Sequence, residues 1–298
     1  MQKSRTTSFG AVAIIGVGLL GASLGLALKN RRLASRVVGV GRRGSASLKT
    51  ALKIGAIDTA STDMAAVSEC DLIVLASNIG AFPDLMRQLA RCMKPGAIVT
   101  DVGSTKEQVM QWAAELLPAG VFVGSHPMAG SERRGPEFAR ADLYQDAVCL
   151  VCAPRQGLNA KTLRRVESLW RAVGMRTLSV AARQHDEIVA TISHVPHAVA
   201  AALVQLSCSV PGAEAAIAGG FVDTTRIASG DPTMWTDIFR TNGSAIDASL
   251  GVLIAMLEHY RRVVRRGAPE ELQELFAEAK KRRDALVAKL RPKKGAKK

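Results

Sequence analysis

With 298 residues, 48% of them hydrophobic, the chain is long enough to bury a sizeable core in two domains, and at 4% aromatics that core must be mostly Ala, Val, Leu and Ile. The net charge of +14 gathers late, in Arg261, Arg262, Arg265, Arg266, Lys280 to Arg283 and the tail from Arg291 to Lys298. No interleaved aromatics or binding motif go with these cations, so they read as a solvated basic face that draws in anionic ligands rather than as a nucleic-acid surface.

Residues 1–10, MQKSRTTSFG, lack the apolar segment of a signal peptide and lead directly into a strand at Ala11–Ile15. Further apolar β-type runs follow at Arg36–Gly41, Leu72–Ala76, Ala97–Val102, Val121–Val123, Ala147–Ala153 and Arg176–Val180. Between them lie helical stretches at Gly21–Asn30, Ser45–Ile54, Ala81–Met93, Lys106–Leu117 and Leu158–Val173. Lys94-Pro95-Gly96 is a turn between one helix and the next strand. This alternation predicts parallel βαβ units. Cys149 and Cys152 have CxxC spacing, but on a strand they would face opposite sides and read as small buried hydrophobes. Five cysteines without a tight framework point to a reducing, cytoplasmic compartment.

After Val180 the texture changes. Segments 183–210, 213–229, 232–262 and 269–291 carry helical spacing and are rich in Ala and Leu. Gly219-Gly220, Gly230-Asp231-Pro232 and Gly267-Ala268-Pro269 punctuate them, and Asp231 before Pro232 is a helix start signal. No apolar run of membrane-spanning length is expected. The predicted architecture is therefore α/β: an N-terminal Rossmann-type doubly wound, mostly parallel sheet over 9–180, an all-helical C-terminal domain over 181–290, and a basic disordered tail over 291–298.

The chemistry-bearing motifs sit at the expected strand ends. Gly16-Val17-Gly18-Leu19-Leu20-Gly21 follows the first strand and opens a helix. Gly16 permits the tight turn, Gly18 the approach of a pyrophosphate, and Gly21 close packing of helix on strand, with Leu19 and Leu20 at the helix start. NAD-binding sheets often carry an acid after the second strand, but here Gly41-Arg42-Arg43 stands there, and two guanidinium groups suit a 2′-phosphate. The expected cofactor is NADP, with NAD the alternative if Arg42 and Arg43 only stack on adenine or face solvent. Ser77 and Asp101, at later strand ends, are assigned to the same cofactor site.

Asp101-Val102-Gly103-Ser104-Thr105-Lys106 links a strand to a helix. Ser104 with Glu107 fits a capping box, and Ser104 can equally hydrogen-bond substrate or a catalytic base. His126, in a loop of small residues between Gly124 and Gly130, is the candidate proton acceptor. In Ser193-His194-Val195-Pro196-His197, two histidines share one helix face. No clustered acids or cysteines complete a metal site, so substrate carboxylate binding is the better role. His185-Asp186 stands upstream, where it could orient or charge His197. Arg226, between apolar positions, is either a solvated cation or an anion clamp.

Taken together, GVGLLG, DVGSTK at 101–106, GSHPMAGSE at 124–132, SHVPH at 193–197 and TRIASGDPTMWTDIF at 225–239 resemble the prephenate/arogenate dehydrogenases over roughly residues 9–280. The resemblance implies a Rossmann-type domain followed by a helical dimerisation domain, and a homodimer. It implies oxidative decarboxylation of a dicarboxylate cyclohexadienol with hydride transfer to NAD(P). His126 would take the hydroxyl proton with Ser104 hydrogen-bonded nearby, and a base with a pKa near the working pH suits that step. Arg226 would hold the substrate carboxylate, His197 would contact the substrate, His194 would line the same pocket, and Glu132 would gate it. Prephenate and arogenate are both open at this point. The rival readings are a β-hydroxyacid dehydrogenase, in which the HPMAG loop has no role, and a non-catalytic dinucleotide sensor, for which His126 would be dispensable.

Overall fold

The computed structural model describes residues 8–130, 133–153 and 160–290. The chain forms two compact units, residues 1–246 and 247–298. The first is built on one eight-stranded sheet in the order β3-β2-β1-β4-β5-β6-β7-β8. Its strands are β1 (Ala11–Ile15), β2 (Arg36–Val40), β3 (Thr59–Ser61), β4 (Leu72–Leu75), β5 (Ile98–Asp101), β6 (Phe122–Pro127), β7 (Val148–Cys152) and β8 (Arg176–Ser179). Every neighbouring pair is parallel except β6 and β7. The helices between them are α1 (Leu19–Asn30), α2 (Ala46–Lys53), α3 (Phe82–Cys92), α4 (Glu107–Leu116) and α5 (Ala160–Ala172).

The period of two along each strand divides the core into two layers. On β1, Val12 and Ile14 join Leu24, Leu28 and Trp170 on one face, while Ala13 and Ile15 join Phe82, Met86, Leu89 and Val109 on the other. Strand order reverses between β1 and its neighbours β2 and β4, and the crevice at their carboxyl ends is where such sheets bind dinucleotides.

Three local features differ from expectation. Strand β3 was not predicted, because Thr59-Ala60-Ser61 is a short, partly exposed edge with no apolar run. Strand β6 does not stop at Val123. Its pairing with β5 ends at Thr100–Val123, after which Gly124 to Pro127 pair antiparallel with Cys152 to Cys149. His126 therefore sits on a strand and not in a loop, fixed on a ladder rung opposite Leu150. The start of the predicted helix Leu158–Val173 and the tail 291–298 lie outside the described residues.

The helical region begins with α6 (Ala182–Val189), passes through one π turn at Ala190–His194, and continues as α7 (Val195–Cys208). This run, Ala182–Cys208, is 27 residues long and apolar enough to cross a membrane by length and composition, which corrects the expectation of no such run. Its first turns are tied to the sheet by His185 and Asp186, described below, and Ile192 and Leu206 are exposed on it. Then come α8 (Gly219–Thr225), a tight turn at Arg226–Ser229, and α9 (Pro232–Thr241), whose first turn is capped by the Asp231 carboxylate accepting from Met234 N. Helices α6 to α9 belong to the same compact unit as the sheet, and that unit ends at Ile246. Helix α10 (Gly243–Arg266) runs across that boundary, and α11 (Pro269–Leu290) follows. Within the second unit, Tyr260 stacks on Phe276 and Arg266 pairs with Glu271 at 2.7 Å.

Candidate active site

The glycine loop is shaped by contacts that a side chain would destroy. Gly16 has φ +96°, and a Cβ there would lie 2.7 Å from the Ala76 carbonyl and Ser77 N. A Cβ on Gly21 would lie 2.2 Å from the Gly16 carbonyl oxygen. Gly18, the residue before α1, has nothing within 4 Å of its Cβ position. That opening faces the start of α1, where no side chain caps the helix and no acid stands in the first turn. The N–H groups of Leu19, Leu20 and Gly21 are thus available to an anion at the positive end of the helix dipole. Beside the loop, the Ser77 hydroxyl is buried without a hydrogen-bond partner. A cradle closed by glycines and an orphaned hydroxyl next to it fit a dinucleotide diphosphate. Arg42 and Arg43 are exposed just past β2, on the same edge of the sheet.

Asp101 does something other than hold cofactor. It is fully buried, and its carboxylate is consumed inside the protein: Oδ2 accepts from Lys106 Nζ at 2.7 Å and Gly103 N at 2.8 Å, and Oδ1 accepts from Ser125 N at 2.8 Å. Lys106 is equally buried and also donates to the Gly103 and Thr105 carbonyls. Burial pushes the Asp101 carboxyl above its usual value, opposed by Lys106 and the two backbone donors. The pair ties the loop after β5 to the stretch of β6 that carries His126. With no exposed surface, Asp101 is withdrawn from the cofactor contacts and assigned to this scaffold.

The capping box predicted for α4 is also replaced. Ser104 is half-buried in the loop, three residues ahead of the helix, and α4 is capped from 80 positions away. Asp186 Oδ1 accepts from Lys106 N at 2.7 Å, and Oδ2 accepts from Glu107 N at 2.9 Å. Ser104 is therefore released from capping and is available to a ligand in the loop.

His126 is 9% exposed and nearly enclosed. Its Nδ1 lies 2.9 Å from His185 Nε2, and His185 Nδ1 lies 2.7 Å from Asp186 Oδ1. The His185-Asp186 pair thus serves His126 and the start of α4, not His197 as expected. Burial lowers the His126 pKa well below 6.5, helped by His185, Lys106 and His194. The same cause lowers His185 to about 2 and His194 to about 4. All three rings are neutral at pH 7, so His126 has a lone pair to accept a proton, but its pKa lies well below the value near the working pH expected of the base. Beneath it, Ser125 Oγ lies 2.7 Å from Thr100 Oγ1 and accepts from Trp170 Nε1 at 2.9 Å, which anchors the strand in the core.

The remaining histidines line the helical side. His194 is buried on the π turn, a local widening that often marks functional sites, and its Nδ1 lies 3.2 Å from Asn242 Nδ2. Asn242 also donates to the Asp186 carbonyl at 2.9 Å. His197 stacks flat on Trp235 with ring centroids 3.6 Å apart, and its Nδ1 is buried without a partner. Gly230 makes room for this stack, since a Cβ there would lie 2.2 Å from Trp235 Nε1. Arg226 is exposed on the turn after α8, and Glu132 lies outside the described residues. Among the described residues no cluster of three metal-ligating side chains occurs. His185 and Asp186 were read as partners of the wrong histidine, and Lys106, Trp235 and Asn242 were not assigned to the site, although Lys106 stands in DVGSTK and Trp235 in TMWTDIF.

The family model for the prephenate dehydrogenase nucleotide-binding domain matches residues 24–179, and that for the prephenate dehydrogenase dimerization domain matches residues 181–278. The prephenate dehydrogenase of Bacillus subtilis is 32% identical, over 92% of this chain and 76% of its own length. The cyclohexadienyl dehydrogenase of Zymomonas mobilis is 31% identical, over 94% of this chain and 97% of its own. Among solved structures, prephenate dehydrogenase from Aquifex aeolicus in complex with hydroxyphenyl propionate and NAD+ superposes with a TM-score of 0.87 at 31% identity, covering 95% of this chain and all of that one.

Proposed function

Because the chain belongs to the prephenate dehydrogenase family, we propose that it converts prephenate to 4-hydroxyphenylpyruvate by oxidative decarboxylation, as an NAD(P)-dependent oxidoreductase of tyrosine biosynthesis. The observation that carries the proposal is the neutral, enclosed His126, held at the same sheet edge as a glycine cradle fit for a dinucleotide. Bound NAD(P) supplies the hydride acceptor. His126 takes the proton of the substrate 4-hydroxyl as hydride leaves the carbon that bears it. The bond to the ring carboxylate then breaks, carbon dioxide departs, and the electron pair makes the ring aromatic. The proton held on His126 returns to the new phenolic oxygen, so the ring closes its own proton balance. A buried base has no competing water shell, which keeps its lone pair directed at the substrate.

Ser104 hydrogen-bonds at the reacting hydroxyl in this reading, and Arg226 grips a substrate carboxylate. His197, with its unpartnered Nδ1, meets the other end of the substrate, His194 lines the pocket, and Glu132 gates it. Gly16, Gly18, Leu19, Leu20, Gly21 and Ser77 hold the cofactor. Arg42 and Arg43 favour NADP over NAD in this reading, because two exposed guanidinium groups follow β2 where NAD-binding sheets often carry an acid.

The functional division we adopt is 9–180 for the dinucleotide and 181–290 for substrate and dimerisation. Exposed Ile192, Leu206, Val252, Ile254, Met256 and Leu257 support a homodimer through the helical region. Sedimentation as a monomer at working concentration would contradict it. A cytoplasmic location accompanies a biosynthetic role and five free thiols. Arogenate is the second reading for the substrate, and the name of the Zymomonas relative, a cyclohexadienyl dehydrogenase, keeps it in view. The deciding experiment offers prephenate or arogenate with NADP or NAD and follows reduced-nicotinamide absorbance. Turnover of prephenate is the expected result. Turnover of arogenate alone would move the assignment, and no turnover with intact dinucleotide binding would favour a sensor.

A further inference from the structure

We infer that Asp186, acting through His185, fixes the tautomer of His126 so that its Nε2 carries the free lone pair. Asp186 already accepts from Lys106 N and Glu107 N, and an ionised carboxylate there can only accept. His185 must therefore turn an N–H toward Asp186 Oδ1, and that atom is Nδ1, at 2.7 Å. Being neutral, His185 then presents a bare lone pair at Nε2. Among the described residues, the group within hydrogen-bond distance of that nitrogen is His126 Nδ1, at 2.9 Å. His126 Nδ1 must carry the proton, which leaves Nε2 as the base. The roles of both rings follow from one carboxylate and its two backbone donors.

The surroundings keep this order from reversing. Ahead of α4, Lys106 acts on both rings, and its ammonium is locked to the Asp101 carboxylate at 2.7 Å. From the π turn, His194 faces both rings, and on β7 the Cys149 thiol lies against the His126 backbone while Cys152 is buried at the rung opposite Gly124. Burial pushes both thiols up, Cys152 to about 12, so neither supplies charge near pH 7. Protonation of His185 to a cation, which would erase the order, is suppressed by the burial that lowers it to about 2. Asp186 and His185 are thus positioning residues, and the strand-borne His126 is the residue they position.

The kinetic side of this inference rests on the prephenate reading, but the tautomer does not, so it is measured directly. Long-range 1H–15N spectra of histidine-labelled protein report which ring nitrogen carries the proton, and the His126 signals are assigned by their loss in His126→Asn. The expected result at pH 7 is a neutral His126 protonated on Nδ1. A proton on Nε2 would overturn the inference. In His185→Leu the tautomer is expected to shift and kcat to fall by roughly 10²- to 10⁴-fold with KM little changed. In His185→Gln, whose carboxamide oxygen can accept from Nδ1, at least a tenfold share of the loss should return. A mere packing role predicts equal effects of Leu and Gln and an unmoved tautomer, and that result would also overturn it. If His185→Leu does not fold, the wild-type spectrum and His185→Gln still decide. A correct tautomer in a protein that does not turn over prephenate would leave this inference standing and retire the substrate assignment.

Discussion

Along the sheet wall of the site, from Gly16 to Ser77, the working groups belong mostly to the backbone, whereas along the helical wall, from His185 to Asn242, they are side chains that hold one another. The glycine loop works through what it omits: three positions without a Cβ and a helix start without a cap. The helical wall works through an uninterrupted set of contacts, from Asp186 to His185 to His126 and from Asn242 to His194. One wall suits a cofactor shared by many enzymes, and the other suits one reaction. A change on the first should therefore alter binding, and a change on the second should alter turnover.

The sharpest way to break that contrast is His126→Asn. We expect kcat to fall roughly 10⁴-fold, about 5.5 kcal/mol, with the dinucleotide Kd unchanged. A comparable loss of cofactor affinity, measured by fluorescence titration, would mean the walls are not separate. Next comes Lys106→Met, which strands the fully buried Asp101 carboxylate. Urea unfolding followed by tryptophan fluorescence should show a loss of about 4 kcal/mol.

Acid should weaken the helical wall in the same assay. His185 and His194 are neutral in the fold, with pKa values lowered from 6.5 to about 2 and about 4. Below pH 6.5 the unfolded chain binds protons that the native rings refuse, so stability is full above that pH and is lost as pH falls. Each ring should cost about 2 kcal/mol between pH 6.5 and 5. A flat profile over that range would remove the claim that these rings stay neutral.

Smaller effects sharpen the sheet wall. Gly18→Ala adds a methyl where the protein offers no contact, so melting temperature should hold while dinucleotide affinity falls about tenfold, roughly 1.4 kcal/mol. An equal drop in melting temperature would show that Gly18 is structural. Smallest of all, Arg42→Ala with Arg43→Ala should raise the NADP Kd severalfold, by about 1 kcal/mol, and leave NAD unmoved. Equal effects on both cofactors would end the NADP preference.

The same contrast explains what the sequence made legible. A backbone requirement such as φ +96° at Gly16 selects one residue type, so it is visible in the local order of letters. Alternating apolar runs announced seven of the eight strands for a similar reason. Strand β3 was hidden because an exposed edge of Thr, Ala and Ser has no pattern to show. His126 was visible as a candidate, but its strand was not, since Gly, Ser, His and Pro resemble a loop until β7 pairs with them. Ser104 and Glu107 matched a capping pattern that a carboxylate 80 positions away displaced. Side-chain partnerships across such distances leave no local trace, so His185 was assigned to the wrong histidine.

That distant cap bears on how this protein can be taken apart. A sheet fragment ending near residue 180 would leave the first turn of α4 with two open N–H groups. A chimera that exchanged the helical half for another would need an acid at the place of Asp186 to keep α4 wound. The two halves are thus poor candidates for shuffling, although each carries a recognisable pattern of its own. Their joint inheritance is written into a single carboxylate.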